Sequence, residues 1–210
     1  MIRIAAALLA AALAAAPAAA QAPPAPDGAA ANGRTVAEVE RALNAVRTLK
    51  SHFVQVSTNG RVAEGTIWIA RPGKLRIDYA PPVKMELIVE GGFLIQVDKK
   101  LGTLTHIPLS RTPAGILVKG DVTLGGELRV TGVARGGGLV RVGVVQRGRE
   151  DEGSITLVFG ETPMSLRQWT VVDAQGLETR VTLVDPEVNV ALDPKVFDFD
   201  ASQYEGTRLD

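Results

Sequence analysis

The chain has no cysteine and only two histidines among its 210 residues. Without cysteine there is no disulfide, no thiolate metal ligand, no cysteine nucleophile and no acyl anchor attached to a cysteine of its own. His52 and His106 lie in strand-like runs, outside any context typical of a Ser-His-Asp triad. We therefore expect a protein that is not an enzyme and that holds neither a metal nor a cofactor.

Neither sign of charge is in excess, because 23 basic residues balance 23 acidic ones. A balanced chain has no net field to attract nucleic acid or an anionic membrane, so no nucleic-acid partner is expected. Aromatic residues are also scarce, at 4% of the chain. An interior built from small aliphatic side chains can leave a hollow, and the composition is compatible with one.

Residues 1–20 have the pattern of a cleavable signal peptide. Arg3 precedes an apolar run from Ile4 to Ala16, and Ala18-Ala19-Ala20 stands ahead of Gln21. A membrane-spanning helix is the alternative, but the run is short and leads into a proline-rich stretch. The sequence therefore predicts an exported protein.

One domain is expected after the signal. Residues 21–33 are rich in Pro, Ala and Gly without apolar periodicity, so we expect a disordered leader there. The rest of the chain is long enough for a single large core, which we place at residues 34–200, with a C-terminal tail at 201–210.

Two helical segments are expected within this domain. Thr35 and Glu38 form a capping box, after which apolar residues recur at three- and four-residue steps to about Lys50. A short apolar helix is expected within residues 110–119, where Pro113 follows the capping residue Thr112.

Eleven further runs have the alternation or continuous apolarity of β-strands, and turns rich in glycine separate them, as in consecutive antiparallel hairpins. A sheet of that size curls into a barrel, a half-barrel or a sandwich. The runs are 52–58, 65–71, 74–80, 85–90, 93–98, 102–107, 127–133, 138–146, 153–159, 166–173 and 177–184.

Several segments, taken in order, carry a resemblance to a known family. The most specific are the strand pair around Arg71-Pro72-Gly73 and the closing Leu192-Asp193-Pro194 with Phe197-Asp198-Phe199. Together with Phe53-Val54-Gln55, Gly65 to Ile69, Leu87-Ile88-Val89 and Pro108 to Pro113, they resemble the LolA family of periplasmic carriers of outer-membrane lipoproteins. The resemblance covers residues 35–200.

The resemblance implies a mainly β fold: an incomplete, half-open antiparallel barrel of about eleven strands, whose concave apolar face is covered by a helical lid. It implies a monomeric periplasmic chaperone that shields the acyl chains of lipoproteins and ferries them from the inner to the outer membrane. The implied partners are acylated lipoproteins as cargo, the inner-membrane ABC transporter LolCDE and the outer-membrane receptor LolB.

Alternation and the family pattern together give a set of site residues. Arg71 matches the family's arginine that bonds the lid backbone and holds the cavity shut. If Arg71 reaches the lid, Ile67 and Ile69 face the cavity and Trp68 faces away; the sequence leaves that parity open. The expected cavity residues are Phe53, Ile67, Ile69, Leu75, Ile77, Tyr79, Leu87, Val89, Ile95 and Val97, and the expected lid residues are Val39, Leu43, Val46, Ile116, Leu117 and Val118.

Two other functions fit the same fold. One is a carrier of a different lipid, such as a glycolipid or a polyisoprenoid, which nothing in the sequence excludes. The other is a lipid-sensing module like the N-terminal domain of RseB, which continues into a second domain for which this chain has no room.

Overall fold

The structure, a computed structural model, describes residues 26–204. The expected signal peptide at 1–20, the start of the expected leader at 21–25 and residues 205–210 lie outside the described residues. Between residues 26 and 204, no helix combines the length and apolarity needed to cross a membrane.

Eleven antiparallel strands form one sheet, which confirms the predicted strand count and fold class. Strands β1 and β11 pair at the middle of the sheet, while β6 and β7 form its two edges. The sheet is therefore open and does not close into a barrel. The strands are β1 Thr48–Ser57, β2 Val62–Ala70, β3 Lys74–Tyr79, β4 Met85–Glu90, β5 Phe93–Asp98, β6 Thr103–Pro108, β7 Leu128–Gly136, β8 Leu139–Gln146, β9 Gly153–Glu161, β10 Met164–Asp173 and β11 Glu178–Val188.

The core lies on one face of the sheet, which we call the inner face. Alternate residues of β1–β4 and β7–β11 join a single cluster, in which Ile67, Leu157 and Val142 are fully buried. Because strands as far apart in the sheet as β3 and β8 share this cluster, the sheet curls around a common interior.

A long helix, α1 (Pro26–Ala45), packs over the inner face against β10 and β7. It starts earlier than predicted, because the Ala29-Ala30-Ala31 run has a high helix propensity and continues the helix. Residues 26–33, expected to be part of a disordered leader, are helical. Thr35 therefore lies inside α1, and the prediction that it caps the helix is wrong.

The predicted end of this helix is also wrong. Residues 48–50 belong to β1, where Thr48, Leu49 and Lys50 pair with β2. Leu49 continues the helical period of α1, but it equally fits the alternation of Leu49, Ser51 and Phe53, which are all buried. Because Leu49 pairs with both β2 and β11, the segment follows the strand alternation and not the helical period.

The connection from β6 to β7 crosses the inner face. It contains two short 3-10 helices, Leu109–Arg111 and Pro113–Leu117, where the sequence predicts one short helix. Thr112 is the predicted cap, and its side-chain oxygen accepts a hydrogen bond from the Ala114 amide. Ile116, Leu117 and Val118 are buried in the core.

The opposite, outer face of β4 and β5 has its own apolar cluster of Ile88, Ile95 and Val97, against which Phe199 and Tyr204 pack. The prediction that Ile95 and Val97 line the cavity is therefore wrong. The register pairs Leu87 with Gln96 and Val89 with Leu94, so Leu94 and Gln96 are the β5 residues on the inner face.

The C-terminal segment is held on this outer face by charge as well as by apolar packing. Glu86 is 4% exposed and contacts Arg76 at 2.7 Å and Lys99 at 2.6 Å. Arg76 also donates to the Val196 carbonyl at 3.3 Å. Packing continues as far as Tyr204, beyond the expected domain end at residue 200.

Candidate ligand-binding site

Two segments cover the inner face and together form what we call the lid: residues 35–45 of α1 and residues 113–124 of the β6–β7 connection. The expected lid residues Val39, Leu43, Ile116, Leu117 and Val118 are at most 3% exposed. They share one cluster with inner-face residues of the sheet, and Val46 packs against it. The lid is therefore closed onto the sheet in this structure.

Arg71 connects the sheet to both segments of the lid. Its Nε donates to the Leu117 carbonyl at 2.9 Å, and its Nη1 donates to the Leu43 carbonyl at 2.8 Å. Leu43 lies in the last turn of α1, where carbonyls lack intrahelical partners and a cation is favourable. Burial, and to a smaller extent the nearby Arg47, lowers the pKa of the Arg71 guanidinium from its ordinary value.

The β2–β3 turn explains why Arg71 reaches the lid. Arg71 stands two residues after Ile69, so its side chain points to the same, inner side of the sheet. Gly73 adopts φ +78° in the reversal that follows. The Gly73 amide donates to the Val118 carbonyl at 2.8 Å, a third bond between this turn and the lid. Ile67 and Ile69 are buried on the inner face, and Trp68 points to the other side.

The two lid segments are also bound to each other. The Asn44 side chain donates to the Val122 carbonyl at 2.9 Å and accepts from the Val122 amide at 2.8 Å. Glu40 accepts a hydrogen bond from the Leu124 amide. Arg47, just beyond α1, donates to the Gly120 carbonyl at 2.9 Å. These contacts make the lid one connected unit.

A cavity of about 530 Å³ remains beneath the lid, in the size range of small-ligand sites. Its walls are mostly apolar and come from the end of α1, from Leu117 and from β9–β11, with Arg71 at one side. The lining residues include Leu43, Val46, Leu49, Ile69, Phe159, Pro163, Met164, Leu166, Pro186 and Val188. The hollow is thus partly filled by the protein's own side chains and partly empty.

The structure divides the expected cavity residues into three groups. Ile69 lines the cavity. Phe53, Ile67, Leu75, Ile77 and Val89 lie on the inner face but are packed within the core, with Tyr79 and Leu87 against them. Ile95 and Val97 lie on the outer face, as described above. A ligand reaches the second group only if the lid moves away.

The cavity wall formed by β9 and β10 is absent from the expected set, which comes from β1–β5. Phe159, Met164 and Leu166 line this wall. The alternation of Ile155, Leu157 and Phe159 was a readable signal, since all three are buried on the inner face.

Both histidines are exposed side chains of strands. His52 lies 3.4 Å from the Thr66 hydroxyl, and the His106 ring stands edge-on to Phe93 with centroids 6.1 Å apart. Among residues 26–204, no three His, Cys, Asp or Glu side chains are grouped so that they could hold a metal ion.

Comparison with known proteins finds relatives that share one description. An outer-membrane lipoprotein carrier protein from Methylococcus capsulatus is 28% identical over 166 residues, covering 75% of this chain and 79% of the relative. One from Chromobacterium violaceum is 28% identical over 178 residues, covering 81% and 85%. The crystal structure of a DUF1329 family protein from Desulfovibrio piger, at 11% identity, has the same fold with a TM-score of 0.51, covering 80% of this chain and 96% of that one.

The family model described as outer membrane lipoprotein carrier protein LolA matches residues 44–200, which include the whole sheet, the Arg71 turn and the C-terminal segment as far as Asp200. This chain therefore belongs to the LolA family.

Proposed function

We propose that this protein is a periplasmic carrier that shields the acyl chains of lipoproteins and ferries them from the inner membrane to the outer membrane. The observation that carries the proposal is an apolar cavity beneath a lid that Arg71 ties to the sheet, in a chain of the LolA family. In this proposal LolCDE delivers the cargo and LolB receives it, and the protein acts as a monomer without catalysis.

The energetics of the cargo require a shield of this kind. Each acyl methylene withdrawn from water contributes about 0.8 kcal/mol, so three chains with on the order of forty methylenes face a barrier near 30 kcal/mol to cross water unaided. The cavity is smaller than three such chains, so full loading has to displace the lid and expose the inner face of β1–β4.

A closed lid with buried apolar side chains also supports a carrier that releases its load. Seven apolar lid residues are at most 6% exposed: Val39, Leu43, Ile116, Leu117, Val118, Val122 and Leu124. Exposing all of these side chains costs about 2 kcal/mol each, or about 14 kcal/mol together. The Arg71 bonds add about 3 kcal/mol, at about 1.5 kcal/mol for each hydrogen bond to a charged group. Roughly twenty buried methylenes offset that cost. Two acyl chains are enough to hold the lid open, and their departure lets the lid close again.

Depletion of the protein in its own organism, followed by separation of inner and outer membranes, tests the proposal. Lipoproteins destined for the outer membrane should accumulate in the inner membrane, and the wild-type chain expressed in trans should restore their sorting. A variant without residues 1–20 serves as the control, because it should remain in the cytoplasm and fail to restore sorting. Mass spectrometry of ligands that co-purify with the periplasmic protein identifies the cargo.

Two results would contradict the proposal. Lipoproteins that remain correctly sorted during depletion would exclude an essential carrier role for this protein. A glycolipid or polyisoprenoid recovered in place of lipoproteins, together with normal sorting, would assign the cavity to a different lipid.

A further inference from the structure

A second depression opens beside the apolar cavity, and we call it the polar groove. Its volume is about 680 Å³, and Ala42 and Met164 line both the groove and the cavity. The two spaces are therefore neighbours that share a wall. The other groove residues are polar or charged: Glu38, Arg41, Arg135, Glu161 and Thr162.

The charges of the groove balance. Arg135 contacts Glu38 of α1 at 2.6 Å and Glu161 of β9 at 3.2 Å, so that one guanidinium is shared by two carboxylates. Arg41 is exposed and makes no hydrogen bond or ion pair with any residue between 26 and 204. Its guanidinium donors are free to bind oxygen atoms of a ligand.

This arrangement matches an uncharged polar chain better than an anion. A phosphate-bearing head group is recognised by an excess of cationic donors, whereas two arginines and two glutamates leave no net charge in the groove. A peptide backbone carries both carbonyl acceptors and N–H donors, which suit guanidinium and carboxylate groups respectively.

We propose that the polar groove binds the first peptide residues of the cargo, next to their point of acylation, with Arg41 donating to peptide carbonyl oxygens. This inference rests on the proposed function. When the acyl chains occupy the apolar cavity, the peptide has to leave at its edge, and the groove adjoins that edge along Ala42 and Met164. The groove then adds affinity that depends on the peptide and not on the acyl chain.

Displacement of an apolar fluorescent probe from the cavity tests this inference. The two competitors share one acyl chain: a palmitoylated hexapeptide with neutral side chains, and palmitic acid methyl ester. In Arg41→Gln, the lipopeptide should bind about tenfold more weakly than in the wild type, the usual cost of losing a hydrogen bond to a charged group. The affinity for the methyl ester should not change.

Arg141→Gln is the matched control. Arg141 is exposed on β8 between the buried inner-face residues Val140 and Val142, so it lies on the outer face. The variant removes the same charge away from the groove and should bind both competitors as the wild type does.

The outcomes separate the inference from the function on which it rests. If Arg41→Gln weakens both competitors equally, or neither, the groove does not bind the peptide. If palmitoyl-containing phosphatidic acid binds more tightly than the lipopeptide and loses affinity in Arg41→Gln, the groove is a phosphate site and the inference is wrong. If neither acyl competitor displaces the probe from the wild type, the proposed function itself fails.

Discussion

Replacing Arg71 with leucine should shift the lid from closed to open while leaving the fold intact. Arg71 is half-buried, and its two bonds to the Leu43 and Leu117 carbonyls are the side-chain ties between the β2–β3 turn and the lid. With both lost, the closed state is destabilised by about 3 kcal/mol, which corresponds to about a hundredfold in the lid equilibrium. The Leu43 carbonyl keeps its hydrogen bond from the Val46 amide at 3.2 Å, and the Leu117 carbonyl is solvated once the lid opens.

The expected consequence is tighter retention of cargo and impaired release. A lid that closes less readily competes less with bound acyl chains, so affinity for an acylated lipoprotein should rise by up to about a hundredfold. Transfer from the loaded protein to LolB, the acceptor in the proposed function, should slow accordingly. A reconstituted assay with purified carrier, lipoprotein and receptor measures both quantities.

Two variants make the result specific. Arg71→Lys keeps the charge but loses the planar fork that reaches both carbonyls, so it should fall between the wild type and Arg71→Leu. Arg47→Leu removes a nearby arginine whose side chain is 56% exposed and, among residues 26–204, bonds only to Gly120 and Asp121. It should change affinity by less than about fivefold. A folded Arg71→Leu protein with wild-type affinity and transfer would show that Arg71 does not hold the lid closed.

Two further predictions concern stability. Gly65→Ala should destabilise the fold by about 2 kcal/mol in urea denaturation, because the new Cβ would overlap the Asp78 carbonyl and lie 2.9 Å from the Phe53 ring. Gly132→Ala is the control, since its new Cβ would have no neighbouring atom within 4 Å, and it should change stability by less than about 0.5 kcal/mol. Equal effects of the two substitutions would show that the close approach at Gly65 does not matter. Burial raises the pKa of Tyr79 to about 12 from its ordinary 10.0, although its bond with Gln55 opposes the rise. Since the folded pKa is the higher one, the stability that Tyr79 contributes is complete below pH 10 and lost between pH 10 and about 12. Tyr79→Phe should lack this loss when unfolding free energies are measured across that range. Identical pH profiles for the two proteins would show that folding does not raise the pKa of Tyr79.

The sheet was predictable because its signals are local. Each hairpin has its own alternation and its own turn residues, and β2–β3 with Pro72-Gly73 needs nothing from the rest of the chain to specify its reversal. The pairing of β1 with β11 is different, since these strands are far apart in sequence. They meet where the two meanders, β1–β6 and β7–β11, join side by side at the middle of the sheet.

The errors occur where one segment satisfies two patterns. In β4, Leu87-Ile88-Val89 is apolar on both faces, so alternation alone could not tell which residues of β5 face inward. Packing of Phe199 and Tyr204 on the outer face accounts for the second apolar side, and that contact is not local. The extent of α1 and the position of the cavity depend in the same way on tertiary packing.

The role of Arg71 was indicated by the family resemblance and not by residue type. An arginine at the end of a strand is ordinarily an exposed charge. The structure shows that Arg71 has two carbonyl acceptors, one on each lid segment. A sequence pattern does not contain that geometry.

Cargo binding should move the lid, and a distance measurement across the molecule reports that movement. The chain has no cysteine, so cysteines introduced at Thr123 on the lid and Arg141 on the outer face can each carry a single spin label. An acylated lipoprotein should lengthen and broaden the distance distribution between the labels, and the same protein without acyl chains should not. A distribution that stays unchanged while acylated lipoprotein is bound would show that cargo binds without moving the lid.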